Sequence, residues 1–190
     1  MLEELGLDYR IKRYQRDPKS MLAPPELRRV HPLGKSPVID DDGCVVSESG
    51  AIVEYLVAKS EGRMGAPQDR SNALRYRQFL HYAEGSLMPP LLAMLVVNRL
   101  GLLGRPARKP LLRMFDRHLD YCDLELSGRP FFAGDELTGA DIMMSFPLEA
   151  AAKRAGLTAT RRNLWSWLER VHERPAYRRA LQAGGPYAYA

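Results

Sequence analysis

The sequence predicts a mixed α/β amino-terminal third followed by an all-helical remainder. Three observations carry this reading. Short runs of alternating or β-branched composition occur only in the first sixty residues, helical spacing of apolar residues dominates after about residue 67, and a polar, glycine-containing connector from Gly62 to Pro67 separates the two regimes. The expected domains are therefore 1–62 and 67–190. With 190 residues, 45% of them hydrophobic and 27% charged, the chain has a globular balance and enough length to hold a core without disulfides or metal.

Taken in order, Met1-Leu-Glu-Glu-Leu-Gly-Leu reads as the last turns of an amphipathic helix with no helix start before it, ended by Gly6. Tyr9 to Tyr14 alternates in character and is expected to be a strand. Pro24 and Pro25 open a short helical turn through Arg28, since proline suits the first helical positions. His31 to Ile39 is a loop entering a strand, and Asp40-Asp-Asp-Gly43 turns the chain into the returning strand Cys44 to Ser47. Cys44 is expected to be a small buried apolar group. A helix follows from Glu48-Ser49-Gly50, with Ala51, Ile52, Tyr55 and Leu56 on its inner face.

Beyond the connector, a helix from about Arg70 to Leu87 meets Pro89-Pro90, where lost amides and ring clashes predict a kink or restart. Leu111, Phe115, Leu119, Cys122 and Leu126 mark a buried stripe. At Leu137-Thr138-Gly-Ala-Asp141-Ile142 a capping box and hydrophobic staple signal a helix start. Leu164 to Val171 forms another helix, and Pro175 begins a last one that stops before Gly184-Gly185.

Composition excludes several classes. The longest strictly apolar run, Leu91 to Val97, is far too short for a transmembrane helix, and no secretory leader opens the chain, so no membrane association is expected. Two isolated cysteines fit a reducing cytoplasm. Through residue 60 there are 9 basic and 10 acidic residues, against 19 and 13 afterwards, yet no aromatic-basic alternation or groove-reading motif accompanies the excess, and no nucleic-acid partner is expected. The four histidines are far apart, so no metal site is expected. Gly34-Lys35-Ser36 is not a phosphate loop, because Arg29 stands where that motif needs glycine and Pro37 obstructs the following helix.

The informative unit is Gly34-Lys-Ser-Pro-Val-Ile39, a hairpin, then Ser47-Glu48-Ser49-Gly50. Pro37 is a candidate cis residue that would present the Ser36 main chain to an extended peptide. At the helix start, free amides and the dipole favour an anion, so the Ser49 amide and hydroxyl could hold a carboxylate while Glu48 takes an ammonium group. An α-amino acid headgroup carries both charges. The alternative is that Ser47 or Ser49 only caps a helix and Pro37 only starts an edge strand.

The chain resembles the soluble glutathione S-transferase superfamily, particularly bacterial and fungal members, over nearly its whole length. The resemblance rests on Leu2-Glu-Glu-Leu-Gly-Leu-Asp-Tyr9, His31-Pro-Leu-Gly-Lys-Ser-Pro-Val-Ile39, Glu48-Ser-Gly-Ala-Ile-Val-Glu-Tyr-Leu56 and the Thr138 to Asp141 capping box, in that order. It implies a thioredoxin-like amino-terminal domain, truncated because its first strand is missing, followed by an all-α helical-bundle domain. It implies no cofactor, with glutathione as co-substrate, a small hydrophobic electrophile or a peroxide as second substrate, and a cytoplasmic homodimer. Ser36 would pair with the cysteinyl part, Glu48 and Ser49 would hold the γ-glutamyl headgroup, and Lys35 would approach the glycine carboxylate. Pro37, Thr138 and Asp141 would be structural, and Tyr82, Met88 and Leu92 would line the electrophile pocket. In the family, the first strand and the loop carrying the thiolate-stabilising side chain precede the segment beginning at Met1, so the catalytic residue is left unassigned. Two functions are therefore weighed: a glutathione transferase, and a non-catalytic binding or interaction module on the same fold.

Overall fold

The structure is a computed structural model that describes residues 1–20 and 22–189. The chain divides into two compact units, Met1–Arg63 and Met64–Ala190.

In the first unit, α1 (Leu2–Leu5) is one turn closed by Gly6 in the left-handed region, α2 (Pro25–Val30) starts on its proline, β1 (Val38–Asp41) and β2 (Cys44–Ser47) form an antiparallel hairpin, and α3 spans Ser49–Lys59. Both turn residues of the hairpin, Asp42 (φ 50°) and Gly43 (φ 89°), have positive φ, the geometry that matches strand twist in a two-residue loop. The Asp40 carboxylate accepts from the Gly43 amide at 2.9 Å. Leu5, Leu27, Ile52, Val53 and Leu56 form the core. Ala51, expected on the inner face of α3, is exposed, and Val53 takes its place.

The expected strand at Tyr9–Tyr14 does not form: these residues have no regular structure, and among the described residues the sheet contains only β1 and β2. Alternation makes a strand only when a ladder partner satisfies its amides and a core covers one face. Here Ile11 is 50% exposed. The same lack of cover corrects the expectation for Cys44, which is exposed at the turn end of the hairpin.

In the second unit, α4 (Arg70–Tyr82) runs through a π-helical turn (Ala83–Leu87) into α5 (Met88–Arg99), followed by α6 (Arg105–Glu125), α7 (Gly139–Arg154), α8 (Arg162–His172) and α9 (Pro175–Gly184). The expected break at the prolines takes the form of that π turn. The Met88 amide donates to the Ala83 carbonyl, five residues back, and Pro89 and Pro90 then occupy the first turn of α5, where a missing amide costs little.

Helix α4 packs on α7, α5 on α6, and α8 on both α6 and α7. Phe79, Phe115, Leu119, Phe132, Met144, Leu148, Leu164 and Trp167 are fully buried, with the Phe132 ring 4.5 Å from Phe79 and 5.1 Å from Trp167. The predicted capping box is present at the start of α7. The Asp141 carboxylate accepts from the Thr138 amide and hydroxyl, both at 2.9 Å, from the Phe132 amide at 2.9 Å and from the Trp167 indole at 3.0 Å. Burial pushes this carboxyl above its ordinary range, and the four donors pull against that shift.

Candidate functional site

The hairpin register assembles the candidate site. Val38 pairs with Ser47, so the residues just before β1 (Ser36 and Pro37) lie alongside those just after β2 (Glu48 and Ser49). The approach to β1 is fixed by Gly34, at φ +56°, where a Cβ would sit 2.8 Å from Arg28 Cγ and 3.3 Å from Ala23 Cβ. Any other residue there would be strained by the positive φ and would have to push aside the Arg28 side chain. The Ser36–Pro37 peptide is cis, as the glycine-loop-proline pattern predicts. Lys35, Ser36 and Pro37 are exposed.

Glu48 is the unusual residue. It is not glycine, yet its backbone sits at φ 71°, ψ 125°, a conformation costing on the order of 1–3 kcal/mol. Directly after it, Ser49 begins α3, and the first helical hydrogen bond runs from the Ile52 amide to the Glu48 carbonyl at 2.9 Å. The amides of Ser49, Gly50 and Ala51 therefore have no acceptor within the helix, and no side chain caps them. Ser47 does not take the capping role either, because its hydroxyl pairs with His31 Nε2 at 3.1 Å. Among the described residues, neither the Glu48 carboxylate nor the Ser49 hydroxyl has a hydrogen-bond partner in the chain. The result is an open cluster of donors at the positive end of a helix, beside one exposed carboxylate. Such a site suits a ligand carrying a carboxylate and an ammonium group on neighbouring atoms.

The far end of the hairpin is anchored instead of open. Asp41 accepts from the Tyr55 hydroxyl at 2.6 Å and forms an ion pair with Lys59, tying the turn to α3. The hydrogen bond from Lys59, with that from Tyr55, depresses the Asp41 carboxyl, and the bond to Asp41 pushes the Tyr55 phenol up to about 12.

The electrophile-pocket candidates fall in the second unit. Tyr82 is half-buried between α4 and α6; its hydroxyl lies 2.6 Å from His118 Nδ1, its ring meets Phe79 edge-on, and burial pushes its phenol upward. Met88 is half-buried, and Leu92, one turn along α5, is 59% exposed.

Sequence reasoning missed a buried carboxylate on α7. Glu149 is 3% exposed and accepts from Tyr177 Oη at 3.0 Å and from Tyr187 Oη, and its Oε1 lies 3.0 Å from His172 Nε2. It holds the carboxy-terminal segment against α7, where Tyr189 also meets Phe146 edge-on. The available signal was one charge inside the otherwise apolar stretch from Phe146 to Ala152; its partners, 23 to 38 residues away, leave no local pattern.

Residues 1–59 match the family described as glutathione S-transferase, N-terminal domain, and residues 105–170 match glutathione S-transferase, C-terminal domain. Glutathione S-transferase 3 of Schizosaccharomyces pombe is 34% identical, the alignment covering 96% of this chain and 80% of that protein. Glutathione S-transferase 1 of Saccharomyces cerevisiae is 33% identical over 81% of this chain and 75% of its own length. The crystal structure of a glutathione S-transferase from Actinobacillus pleuropneumoniae superimposes with a TM-score of 0.85 at 30% identity, covering 99% of this chain and 87% of that one.

Proposed function

The chain belongs to the glutathione S-transferase family, with a thioredoxin-like amino-terminal domain and a helical carboxy-terminal domain, and from that premise we propose that the open start of α3 is its glutathione headgroup site. Glu48 takes the ammonium group of the γ-glutamyl residue. The Ser49 amide and hydroxyl take its α-carboxylate, aided by the Gly50 amide and the helix dipole. The Ser36 main chain pairs with the cysteinyl residue, and Lys35 faces the glycine carboxylate. The observation that carries this reading is Glu48, a non-glycine residue held at φ 71° directly before an uncapped helix start.

With glutathione so held, the reaction is attack of its thiolate on a small hydrophobic electrophile, forming a carbon–sulfur bond and expelling the leaving group; with a peroxide, the thiolate takes one oxygen as the O–O bond breaks, giving a sulfenic acid and, after protonation, an alcohol, and a second glutathione displaces water from the sulfenic acid to form the disulfide. The thiol proton is lost to solvent before attack, and no side chain here is assigned to stabilise the thiolate. Tyr82, Met88 and Leu92 are the proposed electrophile contacts, Leu92 being the most accessible of the three. The protein acts in the cytoplasm as a homodimer, a setting consistent with two unpaired cysteines.

The test combines calorimetric titration of glutathione with conjugation of an aryl halide. Binding with turnover supports the transferase. Binding without turnover shifts the reading to a non-catalytic glutathione-binding module, and absence of binding removes both.

A further inference from the structure

Helices α5 and α6 are joined by a tight turn, Leu100–Gly104. A Cβ on Gly104 would lie 2.0 Å from the Val97 carbonyl oxygen, so only glycine lets the chain double back this closely. The charge of this hairpin is one-sided. From Gly85 to Phe115 there is no aspartate or glutamate, whereas Arg99, Arg105, Arg108, Lys109 and Arg113 supply five positive charges, as many as the net +5 of the whole chain. All five are exposed, and among the described residues none is ion-paired.

The same hairpin leaves apolar side chains in water. Leu92, Leu95, Val96 and Leu100 recur at three- to four-residue spacing on the open side of α5, and at the tip Leu102 is 71% and Leu103 85% exposed. Behind the tip lies a cavity of ≈ 340 Å³ walled by Val97 and Leu102 on one side and by Arg105 and Arg108, in the first two turns of α6, on the other. Apolar tip and basic shoulder lie together at the end of the hairpin.

We propose that the α5–α6 tip docks on the surface of an anionic phospholipid bilayer. Leu102 and Leu103 enter the headgroup–acyl boundary, and Arg105 and Arg108 hold lipid phosphates. Charge decides against a second copy of this chain, which would set five cations against five. An acidic protein would answer the charge but would need a pocket for two protruding leucines, which a fluid boundary layer provides without one. The contact is peripheral. The run Arg70–Arg99 is long and apolar enough in composition to cross a bilayer, but Phe79, Leu80, Ala83 and Leu87 are committed to the helical core.

The test is co-sedimentation of the full chain with vesicles of mixed phosphatidylcholine and phosphatidylglycerol, and of phosphatidylcholine alone. Binding is expected only to the anionic vesicles and is expected to weaken with salt. The pair Leu102→Ser with Leu103→Ser, and separately Arg105→Ala with Arg108→Ala, should each reduce partition about tenfold or more while glutathione affinity is unchanged. A second readout uses an environment-sensitive dye on Leu103→Cys in a Cys44→Ser background, whose emission should shift to the blue on anionic vesicles. No sedimentation, equal binding to both compositions, or an unshifted dye overturns the proposal. So does retention on poly-glutamate that the leucine pair does not alter, which would identify an acidic macromolecule as the partner.

Discussion

Helices α3 and α7 both begin where a loop turns into a helix, and they resolve the same problem in opposite ways. At α7 the orphan groups are consumed: Thr138 and Asp141 satisfy each other, and Asp141 also collects the Phe132 amide and the Trp167 indole in a fully buried setting. At α3 the equivalent amides are uncapped, and the residue before them occupies a costly backbone conformation. A saturated helix start stabilises a fold, whereas an open one at the surface is available to a ligand. The contrast predicts that damage at α7 appears as lost stability and damage at α3 as lost affinity.

The largest effect is expected at α7. Asp141→Ala strands three buried N–H donors and should cost about 3–5 kcal/mol of unfolding free energy, read as a large fall in the denaturant midpoint. A smaller loss would show that water or rearranged neighbours replace the carboxylate.

Next comes Ser49→Ala, which should weaken glutathione binding by roughly 1–3 kcal/mol with little change in stability, since the hydroxyl caps nothing. Equal losses of stability and affinity would erase the distinction between the two helix starts.

Glu48→Gly sharpens the comparison further. It relieves a positive φ and should raise stability by about 0.5–1 kcal/mol after the entropy cost of glycine, while glutathione affinity falls. A destabilised variant would mean that Glu48 makes contacts within the fold that offset its strain.

The smallest effect concerns the anchored end of the hairpin. Asp41 has a lowered folded pKa, so its contribution is fully present above the unfolded value of 3.8 and is lost as pH falls through the lower folded value. Asp41→Asn should remove that acid-range loss, visible as earlier amide exchange of the β1–β2 turn in the wild type but not in the variant.

Features set by neighbouring residues were legible in the sequence. Asp-Gly at a two-residue turn, Pro25 and Pro175 at helix starts, and the Thr138–Asp141 spacing each specify their own geometry. Features set by distant partners were not. Tyr9–Tyr14 has strand-like alternation without a ladder partner, and Cys44 looks apolar but is exposed at the turn end of the hairpin. Glu149 is defined by tyrosines that the chain returns only at its carboxy-terminal end. For the candidate site, the residue types at 34–37 and 48–49 could be read directly, but the backbone strain at Glu48 could not. Positive φ usually announces itself as glycine, and here glycine comes two residues later.

The most direct test of the central claim is calorimetric titration of glutathione into wild type and Ser49→Ala, with thermal unfolding of both proteins alongside. The open helix start predicts measurable wild-type binding, an affinity at least fivefold weaker in the variant, and superimposable unfolding curves. Equal affinity in the two proteins would place glutathione somewhere other than the start of α3.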